Sequence, residues 1–168
     1  MAALHTILVP VDGSAPSLAA LAHAVALAED AGATVEVLHV DGPDEFVVGS
    51  STPISPSVRA EISRRMEDAV ARAEAQLGDH LSRRTTSGDP LRTIVESASE
   101  GAFDLIVMGT HGRIGRMRTM LGSVAEGVIR NAPCPVLTVR EPSIEYQSFA
   151  ERRHGTPSLA EQVERHHG

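Results

Sequence analysis

Short apolar runs rich in β-branched residues alternate along this chain with longer segments whose apolar residues recur at helical spacing. Runs of the first kind are typical of strands that are buried on both faces of a sheet. Because each strand is followed by a helix, the strands must run parallel and be joined by right-handed crossovers. The pattern therefore predicts a doubly wound α/β fold, a parallel sheet with helices on both faces, with strands at residues 4–11, 34–40, 81–86, 104–108 and 135–140.

The predicted helices begin at residues that favour a helix start. Ser14 is followed by Pro16, and Ser55 and Asp89 are each followed directly by a proline. The side chain of such a residue accepts a hydrogen bond from the first turn, where proline is tolerated because that turn has unused N–H groups. We expect the second helix to bury one apolar stripe, made of Val58, Ile62, Met66, Ala69, Ala73 and Leu77.

The alternation ends near residue 140, so we predict one domain over residues 1–140 and a C-terminal tail over residues 141–168. Ser158 and Glu161 have capping-box spacing, which is compatible with a short helix, but the interpretation we favour is a mobile or loosely docked tail, because chain termini are commonly of that kind. Residues 41–55 are rich in Gly, Pro and Ser and form a longer connection than a compact domain normally tolerates. We hypothesise that they act as a lid over a site.

Composition excludes several classes of protein. All fifteen basic residues are arginine, so a lysine-based phosphate loop and a Schiff-base lysine are excluded. A net charge of −7 with only four aromatic residues argues against nucleic-acid binding. Cys134 is the single cysteine, which excludes an internal disulfide and is expected to be a small packed residue. With no apolar run long enough for a membrane span and no signal-like start, we expect a cytoplasmic protein.

Two strand ends carry unusual residues. The first strand leads into Asp12, Gly13 and Ser14, and the fourth leads into a loop with glycines at 109, 112, 115 and 122. In an open parallel sheet, ligands bind beyond the carboxyl ends of strands where the winding reverses. These two ends are therefore the candidate site.

The glycine-rich loop is suited to an anion. Missing side chains let a phosphate approach backbone amides, and Gly122-Ser123 offers N–H groups and a hydroxyl at a helix start. Arg113, Arg116 and Arg118 add positive charge. The loop has neither the lysine of a Walker A loop nor the glycine spacing of the dinucleotide-binding fingerprint. Glycine-rich loops are also common. Taken alone, this loop therefore fits a phosphate-binding site and an ordinary capped helix start equally well.

The combined motifs resemble the universal stress protein family. Gly109, Gly112, Gly122 and Ser123 match its ATP-binding pattern of Gly-x2-Gly-x9-Gly-Ser/Thr without a gap. The segments VPVDGS at 9–14, DLIVMGTHGR at 104–113 and LGSVAEGVIRNAPCPVLTVR at 121–140 are also similar to that family. The resemblance covers residues 1 to about 140 and points to the branch of the family that binds ATP.

The resemblance implies a five-stranded sheet of order 3-2-1-4-5, which makes the first and fourth strands neighbours. It implies an adenine nucleotide (ATP, AMP or cyclic AMP), with Mg²⁺ or Mn²⁺ held through the phosphates. By position, the adenine and ribose would contact Pro10, Val11, Asp12 and Val40, with Met108 and Gly109 beneath the nucleoside. The phosphates would face Gly112, Arg113, Gly122, Ser123 and Val124.

The chain is expected to form a homodimer. The last strand, residues 135–140, is apolar and lies at a predicted sheet edge, which favours pairing with a second copy. In the family that the chain resembles, this strand pairs across a two-fold axis. A dimeric regulatory protein whose conformation depends on bound ATP is the first hypothesis.

Two other functions stay open. A slow ATPase or phosphotransferase would need a base beside the γ-phosphate, and Asp12 and His111 are the nearby candidates. Alternatively the pocket is vestigial and the chain is a partner-binding module. For His111 we favour a solvent-facing position over a contact with a phosphate oxygen. His39 either borders the base or is a partly buried strand residue.

Overall fold

The computed structural model describes residues 3–42, 54–111 and 121–140. The helices are α1 Ala15–Ala31, α2 Pro56–Leu77, α3 Pro90–Glu100 and α4 Ser123–Asn131, and a 3₁₀ turn follows α2 at Gly78–His80. The strands are β1 Thr6–Pro10, β2 Thr34–Asp41, β3 Leu81–Ser87, β4 Leu105–Gly109 and β5 Val136–Val139. Their order along the chain is the predicted alternation.

The strands form one parallel sheet of order β3-β2-β1-β4-β5, which confirms the predicted fold and strand order. β1 pairs with β2 on one side and with β4 on the other, with Ile7 opposite Leu105. β1 and β4 therefore end side by side, and the winding of the chain reverses between them.

Two apolar clusters cover the two faces of the sheet, because alternate residues of a strand point to opposite sides. On one side, Ile7 and Val9 of β1 pack with buried residues of α1 and α2. On the other side, Leu8 packs with buried residues of α3 and α4. The core is aliphatic, as the scarcity of aromatic residues requires. The side chains of β1 within it are completely buried, and they fix the position of the adjoining ends of β1 and β4.

Three helices begin as the sequence predicts. Ser14, Ser55 and Asp89 are the N-caps of α1, α2 and α3, and each side chain accepts a hydrogen bond from a first-turn N–H. Gly32 ends α1 in the left-handed conformation, with a φ of 66°. Local capping chemistry therefore sets where these helices begin and where α1 ends.

The apolar stripe predicted for α2 is only partly correct. Val70 and Ala73 are buried, whereas Val58 is 50% exposed. α2 has 22 residues and is about 33 Å long, which exceeds the length of the strands beneath it. Val58 in its first turn therefore lies outside the core, and periodicity alone does not reveal where the buried part of the stripe begins.

Some sequence predictions fall outside the described residues. These are the tail at 141–168 with its capping-box spacing at Ser158, most of the lid at 41–55, and the loop arginines 113, 116 and 118. None of the described helices combines the length and apolar composition needed to span a bilayer.

Asp104 joins the start of β4 to the start of β1. Its Oδ2 accepts hydrogen bonds from the backbone N–H groups of His5 at 2.8 Å and Thr6 at 2.9 Å, and from the Thr6 hydroxyl at 3.2 Å. The two backbone donors, that of His5 first, lower the pKa of Asp104 below its usual value. The folded protein therefore prefers the charged carboxylate.

The D104N variant is expected to be less stable than the wild type near neutral pH, and the difference should disappear in acid. A carboxyl whose folded pKa is lowered stabilises the fold above its unfolded pKa of about 3.9 and loses that contribution as pH falls through the folded value. Thermal unfolding of both proteins between about pH 7 and about pH 2 measures this. D79N, in the exposed 3₁₀ turn, is the control. A difference that persists unchanged in acid would contradict the assignment.

Candidate functional site

The turn after β1 holds Asp12 in a fixed position. Its Oδ1 accepts hydrogen bonds from the Ser14 backbone N–H at 3.0 Å and from the Ser14 hydroxyl at 2.5 Å. Gly13 between them has a φ of +79°, which side chains rarely tolerate, and a Cβ there would lie 2.5 Å from Ile62 Cγ2. The aspartate at the end of β1 is thus oriented by the start of α1.

Two serines of α1 complete this turn. The buried Ser14 hydroxyl oxygen accepts from the Ser17 N–H at 3.4 Å, and the Ser17 hydroxyl donates to the Ser14 carbonyl at 2.9 Å. The Asp12 N–H in turn donates to Ser17 Oγ at 3.3 Å. Ser17 is a site-building residue that the sequence reasoning missed, and its position three residues after the N-cap was the available signal.

The end of β4 is closely packed against the start of α1. A Cβ on Gly109 would lie 2.8 Å from the Pro16 carbonyl carbon and 2.8 Å from the Ser17 nitrogen. Both atoms belong to backbone that is held by the cap described above. Gly109 therefore has a packing reason to be glycine, beside the phosphate approach proposed from the sequence.

Thr110 closes the glycine-rich loop at its base. Its N–H donates to the Val139 carbonyl at 2.9 Å, and its carbonyl accepts from the Gly122 N–H at 2.8 Å. The start of α4 is thus tied to the end of β4. Gly112 and Arg113, which the sequence predicts to face phosphates, lie outside the described residues.

The two strand ends meet as the sequence reasoning requires. The Ser14 hydroxyl oxygen lies 3.5 Å from the His111 carbonyl oxygen, which is a close contact rather than a second hydrogen bond, because the hydroxyl proton is donated to Asp12. Since Ser14 also holds Asp12, this side chain is the point where the β1 turn and the β4 loop come together.

The start of α4 has first-turn N–H groups but no capping side chain among the described residues. Gly122 is the N-cap in an extended conformation with a φ of −65°. Ser123 at the first helical position is exposed, and Val124 is half-buried against the cluster that contains Val40 and Met108. A helix start of this kind carries a partial positive charge that favours an anion.

The predicted nucleoside-contacting residues divide between the two faces of the sheet. Val40 and Met108 are buried in the cluster beneath α3 and α4, whereas Val11 is buried in the cluster beneath α1 and α2. Pro10 ends β1 between them and is also buried. These buried apolar side chains therefore lie at the carboxyl ends of β1, β2 and β4, and Asp12 is the polar residue beside them.

His39 joins the end of β2 to this turn. Its Nδ1 lies 2.8 Å from the Val11 carbonyl oxygen and its Nε2 lies 3.1 Å from Asp41 Oδ1. Both partners are acceptors, so a neutral imidazole can donate to one of them and only the charged form can donate to both. The side chain is 17% exposed, which fits the partly buried strand histidine among the two alternatives.

The exposure of His111 differs from the prediction. The residue is half-buried rather than solvent-facing, and its Nδ1 lies 2.9 Å from the Thr110 hydroxyl oxygen. Its Nε2 is buried, and the described residues offer it no hydrogen-bond partner. Sequence reasoning had no signal for this, because a loop histidine between a threonine and a glycine is ordinarily exposed.

Cys134 packs against the cluster beneath α3 and α4, which confirms the prediction of a small packed residue. Burial raises the pKa of its thiol, and the negative charge of Asp104 raises it further. The thiol form is therefore favoured, whereas a reactive cysteine needs surroundings that lower its pKa.

Two further features lie apart from the strand ends. A cavity of about 330 Å³ borders β5 and is lined by His23, Thr110, Leu137, Thr138, Val139 and Arg140. It contains none of the residues predicted to contact a nucleotide. Within the described ranges, no group of three or more His, Cys, Asp or Glu side chains is placed to hold a metal ion.

Replacing Ser14 with alanine is expected to lower the free energy of unfolding by about 2.5–4 kcal/mol, because an N-cap contributes about 1 kcal/mol and a hydrogen bond to a carboxylate about 1.5–3 kcal/mol. Ser55 provides a matched control. It caps α2, also precedes a proline, and accepts from the Val58 N–H at the same 3.4 Å. S55A should cost about 1 kcal/mol. Chemical denaturation measures both, and equal losses would contradict a role of the Ser14–Asp12 bond.

Comparisons with known proteins agree with this architecture. The sequence profile of the universal stress protein family matches residues 3–140. A universal stress protein of Methanocaldococcus jannaschii is 40% identical over 143 residues, covering 83% of this chain and 84% of that protein. One of Bacillus subtilis is 35% identical over 148 residues, covering 81% of this chain and 99% of that protein.

Solved structures share the fold. Universal stress protein UspA from Lactobacillus plantarum superposes with a TM-score of 0.62 at 27% identity, covering 83% of this chain and 100% of that one. A universal stress protein crystallised in complex with cAMP superposes with a TM-score of 0.61 at 29% identity, covering 82% of this chain and 98% of that one. With the family profile matched over nearly the whole described length, the chain belongs to the universal stress protein family.

Proposed function

We propose that this chain binds an adenine nucleotide at the adjoining ends of β1 and β4 and acts as a homodimeric regulatory protein in a stress response. The observation that carries the proposal is the junction of these ends, through Ser14 and His111, beside the start of α4. ATP is the first candidate, with AMP and cyclic AMP as the others. The relative that was crystallised with cAMP supports an adenine nucleotide as the ligand class.

The nucleoside would lie over the ends of β1, β2 and β4. Pro10, Val11 and Val40 supply apolar surface, and Asp12 supplies an oriented carboxylate for a ribose hydroxyl or an adenine N–H. Met108 and Gly109 would lie beneath it. The absence of a side chain at Gly109 allows the start of α1 to pack directly on the end of β4.

The phosphates would face the start of α4 and the glycine-rich loop, with Gly112, Arg113, Gly122, Ser123 and Val124 as the contacts. Two described features fit an anion there: a helix start with no capping side chain, and a buried imidazole nitrogen without a described partner. Three or four charge-assisted hydrogen bonds of about 1.5–3 kcal/mol each are enough for micromolar affinity, about −8 kcal/mol. Mg²⁺ or Mn²⁺ would be held through the phosphates.

Binding rather than rapid hydrolysis is the function this arrangement favours. Backbone amides neutralise a phosphate without positioning a water molecule for attack. Asp12, a candidate base, already accepts two hydrogen bonds from Ser14 on one oxygen. A nucleotide held in this way is suited to stabilising one conformation or one partner surface.

Mass spectrometry of the denatured, freshly purified protein tests the ligand directly, followed by calorimetry with ATP, AMP, cyclic AMP and adenosine. We expect a released adenine nucleotide or a micromolar dissociation constant for at least one of the three nucleotides. No released nucleotide together with no heat of binding would overturn the proposal and favour a partner-binding module.

The dimer would form through β5. This strand is the β4-side edge of the described sheet, and Leu137 is 38% exposed on it. The carbonyls of Pro135 and Val139 accept hydrogen bonds from the β4 side, so the alternation of the strand directs the Thr138 N–H away from β4. That N–H is available for a second copy.

The T138P variant is expected to weaken the dimer at least about tenfold, because proline removes the outward N–H and leaves the hydrogen bonds to β4. T138V keeps the N–H and is the control. Sedimentation equilibrium over a range of concentrations measures both. A wild type that stays monomeric, or a T138P variant that dimerises like the wild type, would contradict pairing through β5.

A further inference from the structure

The peptide group between Val11 and Asp12 is held at both of its polar atoms. Its oxygen, the Val11 carbonyl, lies 2.8 Å from Nδ1 of His39 on β2. Its N–H, that of Asp12, donates to Ser17 Oγ on α1 at 3.3 Å. The Val11 N–H donates to the Leu38 carbonyl at 2.8 Å, which continues the pairing with β2 one residue beyond the end of β1. The peptide that carries Asp12 is therefore fixed between a strand and a helix.

The two ring nitrogens of His39 face acceptors of different kinds. A backbone carbonyl oxygen only accepts hydrogen bonds, so the contact with Val11 requires a proton on Nδ1. Nε2 lies 3.1 Å from Oδ1 of Asp41, whose side chain is 62% exposed and can be hydrated, whereas Val11 is buried. A buried acceptor has more to lose without a donor than an exposed one. The neutral imidazole therefore carries its proton on Nδ1, and the charged form keeps the same bond.

β2 holds the ring of His39 in place. The strand pairs with β1 on one side and with β3 on the other, where His39 lies opposite Thr85. Alternate residues of a strand face opposite sides of the sheet, so His39 lies on the same side as Val37, which belongs to the cluster beneath α1 and α2. Val11 belongs to that cluster as well. The donor to the Val11 carbonyl therefore comes from a strand that is paired along both edges.

Asp12 gains its orientation from two sets of contacts. The bonds from the Ser14 backbone N–H and hydroxyl hold its carboxylate within the turn. A local turn of this kind can rotate as a unit, because both partners belong to it. The contacts of the Val11–Asp12 peptide with His39 and Ser17 instead tie the turn to β2 and α1. These contacts set the direction in which the carboxylate leaves the sheet.

We propose that His39 is a positioning residue of the nucleoside end of the site. It donates from Nδ1 to the Val11 carbonyl and so fixes Asp12 relative to β2, without contacting the nucleotide itself. The inference rests on the proposed nucleotide-binding function and adds to it the residue that holds the nucleoside-binding turn on the sheet. Because this turn faces the nucleoside, loss of the bond affects ATP and adenosine alike, whereas loss of a phosphate contact affects ATP alone.

The H39N and H39Q variants divide the two ring nitrogens between them. The Asn amide nitrogen reaches the position of Nδ1 and can donate to Val11, whereas the longer Gln reaches the position of Nε2 and faces Asp41. H39L fills similar space and donates to neither. We expect H39L and H39Q to bind both ATP and adenosine at least about fivefold more weakly than the wild type, the effect of one ordinary hydrogen bond. H39N should bind both within about twofold of the wild type.

Calorimetry with ATP and with adenosine measures these affinities, and D104N is the control for stability alone. Asp104 bonds the starts of β1 and β4, at the opposite end of these strands from the site. D104N is expected to be destabilised and to bind both ligands like the wild type. The comparison of H39N with H39Q decides the question by itself if H39L is too unstable to measure.

The ¹⁵N resonance of the Asp12 amide gives a second readout, taken in the free protein. A hydrogen bond to a carbonyl oxygen polarises the peptide nitrogen joined to that carbonyl, so this resonance reports on the Val11 contact. We expect it to move in H39L and H39Q and to stay near its wild-type position in H39N. Nuclear magnetic resonance of the four proteins measures it.

Several outcomes would overturn the inference and leave the proposed function intact. These are an Asp12 resonance and an adenosine affinity that do not change in H39L, recovery of binding in H39Q rather than H39N, a loss confined to ATP, and an equal loss in D104N. No binding of ATP, AMP, cyclic AMP or adenosine by the wild type would overturn the proposed function together with the inference.

Discussion

Replacing Gly109 with alanine is expected to lower the free energy of unfolding by about 3 kcal/mol, the upper range for forcing one extra carbon into a packed site. The added Cβ would lie 2.8 Å from two backbone atoms, the Pro16 carbonyl carbon and the Ser17 nitrogen. Backbone cannot rotate away as a side chain does. The first turn of α1 would have to shift, together with the cap bonds that Ser14 and Ser17 make with Asp12.

Gly127 provides the matched control for this substitution. A Cβ there would lie 2.6 Å and 2.8 Å from the two terminal carbons of Leu91, which are the far end of a flexible side chain. Alanine is also favoured over glycine within a helix by about 1 kcal/mol. G127A should therefore change the free energy of unfolding by less than about 1 kcal/mol.

Thermal and urea unfolding of G109A and G127A measure how much stability each substitution removes. For a chain of 168 residues, a loss of 3 kcal/mol corresponds to a decrease in Tm of roughly 6–12 °C. We expect that decrease in G109A and not in G127A. If both variants unfold like the wild type, α1 does not constrain Gly109, and the glycine is explained by ligand approach alone.

Gly109 shows how a motif can be identified correctly while one of its physical reasons is missed. The sequence reasoning assigned every glycine of the loop to phosphate approach. At Gly109 the nearest obstacle is instead the start of α1, which is distant in sequence and becomes a neighbour only because β1 and β4 are adjacent. A spacing pattern cannot separate these reasons, because it contains no distances between elements.

The fold was predictable because its determinants are local and repeated. The caps at Ser14, Ser55 and Asp89 are properties of a few residues each, and the buried strands are identified by their apolar runs. The exposure of Val58 was not predictable, because periodicity identifies a face of α2 and not how much of that face reaches the core. Global packing decides that boundary, and helical periodicity carries no information about it. Val70, in contrast, lies four residues after Met66 and three before Ala73, so its burial follows the helical spacing and was missed.

The candidate site was predictable in its residue types and its place, but not in its internal hydrogen bonds. Parallel strands bring their carboxyl ends to one edge, which is why Asp12 and Gly109 could be expected near each other. The Ser14–Asp12 bond, the contact of His39 with the Val11 carbonyl and the burial of His111 Nε2 depend on rotamers and register. These contacts exist only once the β1, β2 and β4 ends are assembled.

Replacing Ser123 with glutamate is expected to weaken ATP binding about a hundredfold, or about 2.7 kcal/mol, without lowering the stability of the fold. Ser123 is the exposed first residue of α4, where the N–H groups have no described capping side chain. A carboxylate at that position is favourable to the helix by about 0.3–1 kcal/mol, because it complements the partial positive charge of the helix start. The same carboxylate occupies the donors that the phosphates would use and repels their negative charge.

The S57E variant separates this effect from helix electrostatics in general. Ser57 lies in the first turn of α2, which Ser55 caps, so glutamate there meets a helix start that is not proposed to hold the phosphates. Calorimetry with ATP should show the loss in S123E alone, while thermal unfolding of both free variants should match or exceed the wild type. Unchanged ATP affinity in S123E would place the phosphates elsewhere. A loss confined to S123E, in a protein that remains as stable as before, would mean that the start of α4 belongs to the nucleotide site rather than serving only as a helix terminus.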